Sequence, residues 1–207
     1  MIWPHTLRHG FKWIQTSRAR TALVQARNEP DEAQRAAKRA CHSALHDGLT
    51  LLPNGKYFRA RLERALGHTE PPRQALAVLY LNFNDFTLFI DTYGHDAGDE
   101  LLKIVAARML LAVRAEDMLS RLRNDQFACL VAGLPSRSQL SDLAHGLLRA
   151  VSAPLQIGIL YLCVHPNIGI ARCRADGVSA EALLANAEFA MHLAKQHKTG
   201  FAFVDER

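Results

Sequence analysis

From Val78 onward the chain alternates short apolar runs with longer stretches of helical periodicity, and this pattern predicts most of its elements. Val78–Leu81 is an apolar run of strand length. It passes into polar residues and then a loop, Tyr93-Gly94-His95-Asp96-Ala97-Gly98-Asp99. Leu101, Leu102, Val105, Ala106, Met109, Leu110 and Val113 recur at helical spacing and predict a helix from about Ala97 to Arg114 with one core-facing stripe. Met118–Leu122 and Phe127–Val131 read as strands joined at Arg123–Gln126, a β-hairpin. A helix over Ser138–Val151 follows. Pro154 to Ala171 reads as a second hairpin turning near Gly158, with Pro166 placing that strand at an edge or a bulge. Ser179 caps a last long helix to about His197, and Phe201–Val204 is a closing strand.

Upstream the pattern is weaker. Trp3, Phe11, Trp13, Ile14, Leu23 and Val24 lie among many arginines, which reads as a weakly amphipathic helix over residues 1–28. After a break at Asn28–Glu32, a helix to about Leu45 carries Ala33, Ala37, Ala40 and Ala44 on one face. Asn54 is placed to cap a helix through Tyr57, Phe58, Leu62 and Leu66, and Gly67–Gln74 is a loop. The expected organisation is an N-terminal helical extension over residues 1–45 and one domain over 46–207. The expected fold class is an α/β (α+β) sandwich, a mostly antiparallel central sheet flanked by helices.

Composition supports this and excludes little else. With 207 residues and 49% apolar content there is material for one core of ordinary domain size plus an extension. The net charge of +5 is spread along the chain, a weak pointer to polyphosphate, and no nucleic-acid partner is expected. The four cysteines form no CxxC pair, and two of them sit in apolar strand-like runs and read as buried reduced thiols. The first residues hold no continuous apolar run, so a cytoplasmic protein without a membrane span is expected. The ten histidines show no zinc-site spacing, and no Walker loop, nucleophile elbow or EF-hand is present.

The candidate chemistry lies where the first core strand ends in side-chain oxygens, at Asn82 and Asn84, facing a hairpin that carries Asp125. That order of strand, GHxxGD loop (Gly94–Asp99), long helix and hairpin resembles the GGDEF family, the diguanylate cyclases that condense two GTP into cyclic di-GMP. The leading segment Asp47-Gly48-Leu49-Thr50-Leu51-Leu52-Pro53-Asn54-Gly55 is similar to the family's D-x-L-T-G-L-P-N-R, with Leu51 for the usual Gly and Gly55 for the usual Arg. Asn167-Ile168-Gly169-Ile170-Ala171 is similar to its S-I-G-I-A. The resemblance covers about 46–207 and implies the palm-like fold of nucleotide cyclases and polymerases.

It also implies where this chain departs. The naming signature stands here as Arg123-Asn124-Asp125-Gln126-Phe127. In the family a divalent metal is held by the leading Asp of a D-x-D segment and by the signature hairpin; here Asn82 and Asp125 take those places, a metal site expected to be weak or absent. Mg²⁺ is expected only with bound nucleotide. Gln126 replaces a Glu that helps activate the attacking hydroxyl. Arg123 and Asn124 replace glycines: Asn124 suits a left-handed turn, whereas Arg123 either obstructs the substrate or pairs with a phosphate. Asp99 matches the family's guanine-reading Asp, while Ile90 stands where its guanine-reading Asn belongs. Lys195 matches a phosphate-binding Lys. Asp99 reads equally as a helix-start carboxylate, and Lys195 as a solvated helix-end cation.

Arg114-Ala115-Glu116-Asp117 stands at the offset of the family's R-x-x-D product-inhibition site. Arg114 and Asp117 are either a cyclic di-GMP site or a surface ion pair. The expected function is a catalytically inactive regulatory or receptor module in bacterial cyclic di-GMP signalling. Its ligands would be cyclic di-GMP, with GTP weak or none, and an unidentified protein partner. The alternatives are a weak or altered diguanylate cyclase and a dimerisation or protein-interaction scaffold with relic nucleotide sites.

Overall fold

The computed structural model describes residues 43–67, 76–133, 136–173 and 179–204, together with Arg35. The amphipathic segment over residues 1–28 and most of the alanine-faced helix lie outside the described residues. From Leu45 the chain forms one compact unit.

The unit is built on a five-stranded sheet in the order β2 (Met118–Arg123), β3 (Gln126–Val131), β1 (Ala77–Phe83), β6 (Pro166–Arg172), β7 (Phe201–Phe203). All pairs are antiparallel except β6 with β7. Strand alternation divides β1 between two cores. Ala77, Leu79, Leu81 and Phe83 pack with α3 (His95–Ala112) and α4 (Arg137–Ser152). Val78 and Tyr80 pack with α1 (Gly55–Gly67) and α5 (Ala180–His197). This is the expected sandwich.

The helix caps are readable in the sequence. Asn54 Oδ1 accepts from the Tyr57 N–H at 3.0 Å and starts α1. Ser136 and Gln139 form a reciprocal capping box at α4, and Ser179 accepts from the Ala182 N–H at α5. At the far end of α4 the Arg108 guanidinium donates to the carbonyls of Val151, Ala153 and Pro154, which the helix leaves unpaired. Gly169 on β6 lies directly beneath α5: a Cβ there would fall on the Ala187 carbonyl oxygen and the Met191 nitrogen. Glycine is what lets that helix meet the sheet backbone to backbone.

Three expectations need correction. Phe86–Tyr93 forms a helix, α2, and α3 begins at His95, so the segment read as a loop is mostly helical, with Gly94 at φ +86° between the two helices. The segment 154–171 is not one hairpin. β4 (Leu155–Ile157) and β5 (Leu160–Leu162) do turn at Gly158, but as a separate two-stranded ribbon, while β6 joins the main sheet. Pro166 is the first residue of β6, and because β7 pairs only from Ile168 onward the strand has a local edge at Pro166, as expected, where a missing N–H is tolerated. Of the cysteines, Cys129 is buried, Cys173 half-buried and Cys163 exposed. Among the described residues no helix is long and apolar enough to cross a membrane.

Candidate functional site

The segment before α1 seals the free edge of β2. Pro53 accepts from the Arg121 N–H at 2.9 Å, and Asn54 bridges to Arg121 in parallel. Asp47 organises this segment: one carboxylate oxygen accepts from the Thr50 N–H (2.8 Å), the Thr50 hydroxyl (2.7 Å) and the Arg121 guanidinium (2.9 Å). Burial opposes the charge on Asp47, but the Thr50 and Arg121 hydrogen bonds and the Arg121 charge outweigh it, so the carboxyl is held below its ordinary range. Leu51 follows at φ 60°. A left-handed residue is what the turn demands, and it explains the glycine otherwise expected there.

The hairpin tip is a two-residue turn, Asn124-Asp125, between paired Arg123 and Gln126, with Asn124 at φ 44°. It forms without glycine because Asn tolerates the left-handed region. Phe127 anchors it, buried and edge-on to Phe83 at 5.7 Å. The tip reaches the end of β1, where Asn82 Nδ2 donates to Asp125 Oδ2 at 2.7 Å. Burial raises the Asp125 pKa, against the pull of the Asp125 and Phe83 backbone N–H groups, Lys195 and the Asn82 amide. Three positions picked from the sequence, Asn82, Asp125 and Lys195, thus gather at one corner of the sheet.

Asn84 and Asn167 extend this polar corner. Asn167 is only 4% exposed, stands in register with Asn82, and donates through Nδ2 to Asn84 Oδ1 at 2.8 Å. Nothing local in the sequence marks Asn167 as part of the site. Its one signal is its place at the head of the N-I-G-I-A strand.

A hard divalent cation seeks several charged or carbonyl oxygens. Here the corner offers one carboxylate, Asp125, with an oxygen taken by an amide donor, and the Asn82 amide turns its N–H toward the partner rather than its oxygen. Among the described residues no three His, Cys, Asp or Glu side chains gather as a metal cluster. The donor set does not fit such an ion.

Arg123 does not reach toward Asp125. Its Nε donates to Gln126 Oε1 at 2.7 Å, and its guanidinium approaches the Tyr80 hydroxyl, which itself donates to Glu188 at 3.2 Å. The other sequence-picked residues are dispersed. Asp99 is exposed on α3, and Ile90 packs against Gly98, so that a Cβ on Gly98 would lie 2.9 Å from Ile90 Cγ1. Ile90, half-buried, thus presents an apolar side chain where the family's guanine-reading Asn stands.

Arg114 and Asp117 form a turn after α3. Asp117 Oδ2 accepts from the Arg114 backbone N–H at 3.3 Å, and the Asp117 N–H donates to the Arg114 carbonyl. The side-chain ion pair, one of the two readings of these residues, is not formed; the carboxylate holds backbone instead. The other Asp117 oxygen is buried without a partner, and burial raises the Asp117 pKa.

The profile described as "Diguanylate cyclase, GGDEF domain" matches residues 44–200. The bifunctional diguanylate cyclase/cyclic di-GMP phosphodiesterase MucR of Pseudomonas aeruginosa is 36% identical over 172 residues, covering 83% of this chain and 25% of MucR. Diguanylate cyclase TpbB of the same organism is 35% identical over 177 residues, covering 85% of this chain and 40% of TpbB. The chain thus spans less than half the length of these relatives. A structure of the TpbB GGDEF domain superposes with a TM-score of 0.69 at 35% identity, over 73% of this chain and 89% of that one. The coiled coil and GGDEF domain of DgcB from Caulobacter crescentus, in complex with c-di-GMP, gives a TM-score of 0.81 over 89% of this chain and 98% of that one; at 22% identity this likeness speaks for the fold alone. With a family model matching residues 44–200 and relatives 35–36% identical over more than four-fifths of its length, the chain belongs to the GGDEF domain family.

Proposed function

We propose that this chain is a GGDEF domain without cyclase activity, serving as a regulatory or receptor module in bacterial cyclic di-GMP signalling. The observation that carries the reading is the hydrogen bond from Asn82 to Asp125. Phosphoryl transfer rests on neutralising a triphosphate with metal and on placing a nucleophile. This corner supplies one carboxylate, already engaged and biased toward protonation by burial. Gln126, bound to Arg123, cannot act as a base. Incubation with GTP and Mg²⁺ or Mn²⁺, followed by chromatography, tests it. No cyclic di-GMP is expected, and turnover at a rate usual for the family would make the chain an altered cyclase instead.

A second reading, a cyclic di-GMP site at Arg114 and Asp117, is favoured by the exposed Arg114, whose side chain has no hydrogen-bond or ion-pair partner among the described residues and stands on the same turn as Asp117. A guanine edge offers acceptors to the guanidinium. DgcB, of the same fold, is seen in complex with c-di-GMP. Calorimetry should show binding that Arg114→Ala weakens more than about tenfold. No binding by the unaltered protein would leave the scaffold reading in its place.

A further inference from the structure

A cavity of about 700 Å³ opens between α1, α5 and the β2–β3 hairpin. That volume lies within the usual span of small-molecule sites, ~300–1,000 Å³. Three cations line it, Lys56 and Arg59 from the start of α1 and Arg123 from the hairpin. Its apolar wall is Ala60, Leu122 and Leu184. Two carboxylates face it as well: Glu63, and Glu188, which accepts from the hydroxyl of Tyr80, a side chain only 4% exposed.

The charges are unresolved as they stand. Among the described residues the side chains of Lys56 and Arg59 form no hydrogen bond or ion pair. The first turn of α1 carries no acidic residue. Lys56 therefore stands at the positive end of the helix dipole, where a cation is unfavourable unless an anion joins it. The hairpin adds Arg123 to the same side at a position where glycine would leave the cavity without this charge.

We propose that this cavity binds a nucleoside monophosphate without any metal. The phosphate lies among Lys56, Arg59 and Arg123, and the sugar and base lie along Leu122 and Leu184. Glu63 and Glu188 accept from base N–H donors. Side-chain cations supply the counter-charge, so the site is independent of the Asn82 and Asp125 corner and of a divalent ion. It is also separate from Arg114 and Asp117, which lie on the turn between α3 and β2.

The test is calorimetry of the intact chain in EDTA with three probes: GMP, inorganic phosphate and guanosine. GMP is expected to bind, more weakly as salt rises. Phosphate is expected to bind more weakly than GMP, and guanosine not measurably. Arg59→Glu and Lys56→Glu, both at exposed positions, should each weaken GMP at least ~10-fold while the thermal melt shows a folded protein. The proposal is overturned if GMP fails to bind in EDTA, if binding appears only with Mg²⁺, or if Asp99→Ala abolishes it while Arg59→Glu does not. Cyclic di-GMP binding, measured on the same Arg59→Glu protein, reports separately on Arg114, so either assignment can fail while the other stands.

Discussion

Asn82 Nδ2 donates to Asp125 Oδ2 at 2.7 Å, tying the end of the central strand to the tip of a hairpin 43 residues away. The amide does structurally what a cation would otherwise have to do between facing carboxylates. It removes one charge and offers a donor to the other. Asn82→Asp should therefore place like charges in contact at neutral pH and cost about 1–2 kcal/mol. The loss should shrink as the solution is acidified and one carboxyl takes a proton. Mg²⁺ should raise the melting temperature of the variant and leave that of the unaltered protein where it is in EDTA. A Mg²⁺-dependent melt in the unaltered protein would show that Asp125 already holds an ion.

Leu51 sits at φ 60° and is 70% exposed. A left-handed conformation costs a residue with a Cβ roughly 1–2 kcal/mol, and Leu51 recovers little of this by burial. Glycine is free of that strain but loses more entropy on folding. Leu51→Gly should thus stabilise the protein by about 0.5–1 kcal/mol, seen as a higher urea midpoint with an unchanged slope. A lower midpoint would mean that the Leu51 side chain packs on something the folded domain depends on.

Asp47 is the acceptor for Thr50 and Arg121, and its carboxyl is held below the ordinary value of 3.8. A depressed carboxylate adds stability above its unfolded pKa, and that stability is lost as pH falls through the folded pKa. Asp47→Asn should cost about 2 kcal/mol near neutrality by removing the charge from these hydrogen bonds. The difference between variant and unaltered protein should narrow as the pH is lowered below about 4. A gap that stays constant down to pH 2 would mean that the charge contributes nothing.

Gly169 admits no Cβ, because α5 runs backbone against backbone over it. Gly169→Ala should push α5 off the sheet and cost about 3 kcal/mol or more. Gly146, on α4, has nothing within 4 Å of its Cβ position. Gly146→Ala should leave stability unchanged or raise it slightly. Equal thermal melts for the two alanine variants would contradict the packing described.

The sequence by itself determined the elements whose cause is local. Apolar residues at helical spacing placed α3 and α5, and the oxygens of Asn54 and Ser179 placed helix starts, because a cap and its N–H lie within one turn. The hairpin over Arg123–Gln126 was legible for the same reason, since Asn124 can take the left-handed turn without help from elsewhere. Phe86–Tyr93 was not, because an eight-residue apolar stretch is too short for period alone to separate helix from other structure. Motif offsets showed which residues would share the corner, and in which state they do so was decided by tertiary structure. Asn82 turns its N–H and not its oxygen to Asp125, Asn167 reaches Asn84 from another strand, and Arg123 folds back to Gln126 instead of entering the corner. Each of those outcomes depends on strand register and on burial, which join residues far apart in the chain and leave no periodic trace in it.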